Sequence, residues 1–248
     1  DTMTTKMSRT IVEFIPWDAE SPEHIQRLVQ QRVDCGWHSG LVDGPWKEAQ
    51  QAGTKCIYWI VLSKDDANYS SLIQKHVSAF PQQGTPLQDS CIRIGNMDRQ
   101  PTGKTFVPVG HVSLDTESPG IEELNLDIPN SGVVWLKTGY VSRALQSSGI
   151  GRATMDALEV TAKSEPLFAQ TLMLDTLSKD DHKREDIANS FFGGKIPKVS
   201  NEEWFGSRGY KTIKTVPNFY KEKDSTGRPV EARTVFMRLD LKGSTPHL

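Results

Sequence analysis

The sequence predicts an α/β fold: short strands joined into a sheet and flanked by helices. Three observations predict it. Apolar runs of strand length, among them Cys56–Leu62, Thr105–Leu114 and Val133–Val141, alternate with segments whose apolar residues recur at helical spacing. Cap and turn residues stand at the joints between them. The run Val133–Val141 leads through a short polar turn with Gly149 and Gly151 into an amphipathic helical pattern that ends at Lys163.

Length and composition describe an ordinary globular protein. The chain has 248 residues, 36% hydrophobic and 24% charged, with a formal net charge of −2. That length suits one large domain or two small ones. There is no basic excess, so no nucleic-acid partner is expected. No apolar run approaches the ~18 residues of a membrane span, so no membrane partner is expected. The opening segment DTMTTKMSRT lacks the apolar core of a signal peptide. The chain opens on Asp1, and Met3 or Met7 is the expected native start. Cys35, Cys56 and Cys91 are widely spaced and odd in number, which argues against a disulfide framework and for a reducing, cytoplasmic setting. Cys35 and His38 have a ligand-like spacing, but no second pair accompanies them, so no metal is expected.

The elements follow in order. Ile11–Pro16 reads as a short strand. Ser21 is an N-cap with Pro22 in the first turn, and Ile25, Leu28, Val29 and Val33 carry a helix that Gly36 ends. Trp46–Ala52 supplies one or two further helical turns. Cys56–Leu62 and Thr105–Leu114 are strands, the second with Pro108 marking a bulge or an edge. Val133–Val141, Thr171–Asp175, Tyr210–Val216 and Thr234–Leu241 complete the strands. Asn201–Arg208 is a helix closed by Gly209. Trp37, Trp46, Trp59, Trp135 and Trp204 are expected mostly in the core. Two long polar segments interrupt the pattern. Ser63–Lys104, with one helix at Tyr69–Ala79, reads as disordered or solvated surface. Thr176–Ser200, with its charge run Lys179–Asp186, reads as a loop or a lid over a site.

A strand that feeds a glycine turn and then a helix start is an anion site, because unpaired N–H groups and the positive helix end converge there. Three phosphate motifs compete for it. A dinucleotide fingerprint fails because Thr154 stands at its last glycine or alanine position. A Walker loop fails because Asp98 stands where Gly103-Lys104-Thr105 needs its first glycine, and that GKT reads as a hairpin turn. Gln146-Ser147-Ser148-Gly149-Ile150-Gly151 fits Q/R-x-x-G-x-G/A, the pyrophosphate loop of acyl-CoA enzymes, at every position.

On this motif the chain resembles the GNAT-type N-acetyltransferase superfamily. A second family element, a helix ending in a basic residue, Gly and an aromatic residue, is matched nearly by Arg208-Gly209-Tyr210, with the basic residue directly before the glycine. The resemblance covers roughly residues 10 to 241. It implies a GNAT fold: a mixed, mostly antiparallel sheet that splays open beside Val141. It implies a single N-acetyltransferase domain over 1–248, with the segments 63–104 and 176–200 as insertions, and acetyl-CoA as acyl donor. Tyr140, Val141 and Ser142 would offer strand-edge groups to pantetheine. Gln146, Ser147, Ser148, Gly149, Ile150, Gly151 and Arg152 would hold the pyrophosphate.

The acceptor half is less written. The resemblance places a Glu or His base on the central strand, where this chain has Trp135 and Lys137, and a Tyr acid four residues before the last helix's glycine, where it has Phe205. Three weak catalytic candidates remain. Asp175 ends a strand and otherwise serves as a cap or turn residue. His111 lies on an apolar run and otherwise is a core histidine. Tyr220 sits in a loop after a strand. The expected activity is transfer of an acetyl or short acyl group to a primary amine of a small molecule. A CoA-binding module without catalysis and a protein N-acetyltransferase are the alternatives. A homodimer is compatible with the resemblance.

Overall fold

The computed structural model describes residues 11–224 and 226–241; the expected start at Met3 or Met7 lies outside the described residues. Its core is a mixed seven-stranded sheet, mostly antiparallel and flanked by helices. The described residues group into two compact units. One runs up to Asp115 and adds Thr138–Leu167; the other is Thr116–Lys137 with the residues from Phe168 onward.

The first unit opens with β1 (Val12–Pro16) and α1 (Pro22–Cys35). Both ends of α1 are as the sequence predicts: the Ser21 hydroxyl accepts from the His24 N–H, and Gly36 stops the helix in the left-handed region at φ 89°. After α2 (Lys47–Ala52) comes β2 (Lys55–Leu62), buried along its whole length. Then α3 (Tyr69–Ala79) occupies the span expected for it.

The remainder of the long polar segment differs from the expectation of disorder or solvated surface. It forms β3 (Leu87–Gln88), β4 (Arg93–Ile94), β5 (Met97–Asp98) and β6 (Thr105–Phe106), paired as β3 with β6 and β4 with β5. Asp89 organises the segment. Its carboxylate takes two bonds from the Arg99 guanidinium and two more from Thr102. A polar stretch with no apolar periodicity therefore folds around a charge-assisted hub, which composition does not reveal. The Gly103-Lys104-Thr105 run is not the hairpin turn read from the sequence: Gly103 and Lys104 pair with the Asp89 backbone, and Thr105 begins β6.

Strand β7 (Pro108–Asp115) pairs antiparallel with β2, and the register slips between Ile60 and Val61, opposite Pro108. Pro108 thus marks a bulge within the sheet. Strand β8 (Val133–Val141) ends in this unit and is followed by α4 (Ile150–Lys163). Ile150, Ala153 and Leu158 of α4 are buried. The unit's apolar core includes Trp17, Trp46, Trp59 and Leu28. Trp17, which the sequence reading passed over, is fully buried, whereas Trp37 is only half-buried.

The second unit holds the start of β8 and then β9 (Thr171–Leu177). The segment expected as a loop or lid carries two short helices, α5 (Lys179–His182) and α6 (Glu185–Phe191). Helix α7 (Asn201–Ser207) starts on a capping box between Ser200 and Glu203, and Gly209 follows it at φ 100°. Strands β10 (Lys211–Pro217) and β11 (Arg233–Asp240) close the chain. Trp135, Met173 and Phe236 form one core cluster of the unit, with Phe219 packed against it. Trp204, expected mostly in the core, is half-buried.

Strands follow the order β1-β2-β7-β8-β9-β11-β10. The β1–β2, β2–β7, β9–β11 and β10–β11 pairs are antiparallel, and β8–β9 is parallel. This parallel register runs from Val133–Thr171 to Leu136–Leu174 and stops there. Two residues later Thr138 adopts φ 51°. A β-branched residue at positive φ is an outlier that breaks a regular ladder.

Candidate active site

The turn after β8 is built to expose backbone. The Ser142 N–H donates to Val109 O at 2.8 Å, and the Leu145 N–H donates back to Ser142 O at 2.8 Å. Leu145 is 1% exposed and anchors the turn from below. The Ser148 N–H and hydroxyl both donate to Leu145 O. Ser147 and Gly149 take positive φ, 67° and 86°. Gly149 is then the N-cap of α4 and supplies no side-chain cap. The first intrahelical bond of this end is Ala153 N–H to Gly149 O. The N–H groups of Ile150, Gly151 and Arg152 precede it and point out of the helix start.

That geometry fits a diphosphate. Three N–H donors and the positive end of a 14-residue helix meet at an exposed glycine. Gln146, Ser147 and Arg152 are exposed beside it. Ser142 is fully buried, with its N–H and C=O bonded within the protein; Ile150 is 1% exposed and presents backbone only. Tyr140 does the same: its ring lies 5.5 Å from the His111 ring, and its hydroxyl is buried with no partner among the described residues. Burial pushes that phenol up to about 12. Arg143 is exposed and donates to Cys35 O.

Gly110 of β7 is a residue the sequence reading missed. A Cβ built there would meet Tyr140 O at 2.2 Å and Val141 Cα at 3.1 Å. Backbone thus lies directly on backbone where β8 reaches the turn. A glycine inside a strand pattern is the signal that could have found it.

Two of the three catalytic candidates come together, in the second unit. The Tyr220 hydroxyl donates to Asp175 Oδ2 at 2.6 Å. The Lys137 ammonium donates to Asp175 Oδ1. The Lys137 and Asp175 side chains are 18% and 7% exposed. Asp175 is thus a ladder residue opposite Phe236, and its carboxylate is held at both oxygens, which corrects the cap or turn role expected of it. Burial first, and then the Asp175 charge, push the Tyr220 phenol well above its ordinary range, so it stays protonated. Lys137 also lies 5.0 Å above the Trp135 ring. Phe219 stacks edgewise on Tyr220 and on Phe236 and braces the cluster.

His111 is a core residue of the first unit. It is fully buried; Nδ1 lies 2.8 Å from Gln31 Oε1, and Nε2 faces Arg32 Nη1 at 3.4 Å. Burial, and then the Arg32 and Lys55 charges, hold it well below the ordinary histidine range. Phe205 sits between the rings of Trp204 and Tyr210 at 5.0 and 5.6 Å, a packing role. His38 makes edge contacts with Trp37 and Trp46. Among the described residues no group of three metal-ligating side chains occurs, and no helix is long and apolar enough to cross a membrane. A cavity of about 650 Å³ lies along the first turns of α1, lined among others by Glu23, Arg27 and Gln88; no residue of the turn after β8 lines it.

No family model matches the sequence, and no curated protein matches it. Solved structures do resemble the chain. An aminoglycoside 6'-N-acetyltransferase from Enterococcus faecium is 13% identical, with TM-score 0.49, over 96% of this chain and 99% of that one. The ribosomal-protein-S18-alanine N-acetyltransferase from Escherichia coli is 10% identical, with TM-score 0.49, over 96% and 98%. A GNAT family acetyltransferase from Elizabethkingia anophelis with acetyl-CoA bound is 13% identical, with TM-score 0.45, over 93% and 98%.

Proposed function

We propose that this chain is a GNAT-type acyltransferase that moves an acetyl or other short acyl group from acyl-CoA to a primary amine of a small molecule. The single observation that carries the reading is the turn after β8. Its motif, its two positive-φ residues and its uncapped helix start together suit the CoA pyrophosphate. The strand-edge groups proposed for the pantetheine amides are those of Tyr140 and Val141, since the Ser142 N–H and C=O are bonded to Val109 and Leu145.

The chemistry is direct attack. The amine lone pair adds to the thioester carbonyl carbon, the C–S bond breaks, and CoA leaves as a thiolate that takes a proton. The nitrogen loses a proton as the amide forms. The thiolate takes its proton from water: the Tyr220 phenol is held too weak an acid to supply one, and its single proton is donated to Asp175. Asp175 ties Tyr220 and Lys137 together through its two oxygens. Much of the acceleration comes from holding donor and amine together, which needs no dedicated base.

A CoA-binding module without catalysis is the second reading. It is favoured by one observation: both Asp175 oxygens are engaged, so no base on β8 or β9 stands ready for the amine. Two measurements decide. Acetyl-CoA is expected to raise the melting temperature, and ATP is not. Thiol release is then followed across a panel of small amines and peptide N-termini. No stabilisation by acetyl-CoA removes the donor site, and stabilisation with no thiol release from any acceptor leaves the binding module.

A further inference from the structure

Helix α3 belongs to the long polar segment between β2 and β7, yet one of its side chains reaches the turn after β8. His76 and Ser142 are both fully buried. His76 Nδ1 lies 2.8 Å from Ser142 Oγ. The other ring nitrogen, Nε2, has no hydrogen-bond partner among the described residues. The polar function of this ring is therefore directed at one hydroxyl. The ring itself is seated against Phe80, centroid to centroid 5.7 Å, at the end of the same helix.

Ser142 is the first residue beyond β8 and the root of the turn. Its N–H is tied to Val109 O, its carbonyl to the Leu145 N–H, and Leu145 O in turn to the Ser148 N–H. The chain of bonds from His76 thus ends one residue before Gly149. In a dry site a hydroxyl that loses its partner is costly to leave unpaired, so a change at His76 is expected to move Ser142 and not merely release it.

We propose that His76 is a positioning residue for the donor turn: through Ser142 it sets how the chain leaves β8 and presents the N–H groups of Ile150, Gly151 and Arg152. Helix α3 becomes a strut for the donor site. The inference rests on the reading of that turn as the CoA site.

The test is calorimetric titration of acetyl-CoA into the full chain, with melting temperatures recorded alongside, for wild type, His76→Leu, His76→Asn and Ser142→Ala. Leu fills the space of the ring without Nδ1. Asn places a polar atom at the same distance from the backbone as Nδ1. Expected is roughly tenfold weaker acetyl-CoA binding for His76→Leu and Ser142→Ala, the loss of one buried hydrogen bond, and near wild-type affinity for His76→Asn. Rescue by Asn is the readout that mere packing would not give. Wild-type affinity in His76→Leu, or a His76→Asn variant as weak as the Leu one, overturns the proposal. If His76→Leu does not fold, the Ser142→Ala and His76→Asn pair decides in the same way. Wild-type protein that fails to bind acetyl-CoA overturns the donor-site reading, and this inference falls with it; wild-type binding with unaltered variants overturns this inference alone.

Discussion

At the turn between β8 and α4 the groups offered to a ligand are backbone N–H groups. Around Asp175 they are side chains from three separate stretches of chain: Lys137 of β8, Asp175 of β9 and Tyr220 between β10 and β11. The first arrangement is local. Six consecutive residues, Gln146–Gly151, carry nearly all of it, and two of them, Ser147 and Gly149, take positive φ. The second depends on how strands are paired. Backbone sites are written in adjacent residues; side-chain clusters are written in register.

Substitution at Gly149 tests the backbone half and has the largest expected effect. Gly149→Glu places a carboxylate beside the proposed pyrophosphate and should abolish acetyl-CoA binding by calorimetry while the fold persists. Gly149→Ala is the control. It carries the left-handed backbone strain, about 1–2 kcal/mol, without the charge. Loss of binding in Glu with partial retention in Ala supports charge exclusion. Equal loss in both would assign the effect to the turn's conformation, and unchanged binding in Glu would sink the donor site.

Tyr220→Phe tests the side-chain half. With its proton committed to Asp175, the phenol is expected to be structural, so kcat and the affinity for acetyl-CoA should both stay put. The carboxylate of Asp175 then loses one of its two partners but keeps Lys137, so stability should drop by only about 1 kcal/mol. A kcat that falls about 100-fold at unchanged acetyl-CoA affinity would make Tyr220 a proton donor instead.

The two halves also differ in how far the sequence disclosed them. The strand Val133–Val141, the helix Tyr69–Ala79 and both ends of α1 are legible from periodicity and caps alone. The Lys137–Asp175 pair is not, although its logic is simple. The parallel register sets Val133 opposite Thr171, an offset of 38 residues, and Lys137 and Asp175 are separated by the same 38. Nothing in the sequence states that offset. Likewise the Asp89 hub is spelled by Asp, Arg and Thr in a stretch without periodicity, so it reads as solvated surface until the partners are seen together.

Gly110→Ala probes where the backbone half is anchored. The added methyl would meet Tyr140 O at 2.2 Å, and backbone cannot give way as a flexible side chain can. We expect a loss of about 3 kcal/mol in denaturant titration, with weaker acetyl-CoA binding. Stability lost without any change in binding would show that the Tyr140–Val141 edge is not a ligand surface.

The smallest effect is a pH dependence, and it should have opposite limits in the two halves. Burial, and then the Arg27 charge, lower His76 to about 4, and burial with the Arg32 and Lys55 charges holds His111 well below its ordinary value. Both are neutral in the folded protein, while the unfolded chain takes protons near pH ~6.5. Their contribution is therefore complete above that pH and is lost as pH falls toward the folded values, on the order of 1 kcal/mol for His76 by about pH 5.5. Tyr220 is shifted the other way. Its contribution is complete below its unfolded value near ~10 and fades only above it, so acid leaves it untouched. Denaturant titrations at neutral and mildly acid pH should show the decline, and His76→Leu should make it shallower. A slope unchanged by that substitution would move the acid sensitivity to the other histidines that burial depresses, His111, His24 and His182. His182 belongs to the unit that holds Asp175, so an acid response traced to it would break the comparison at its root.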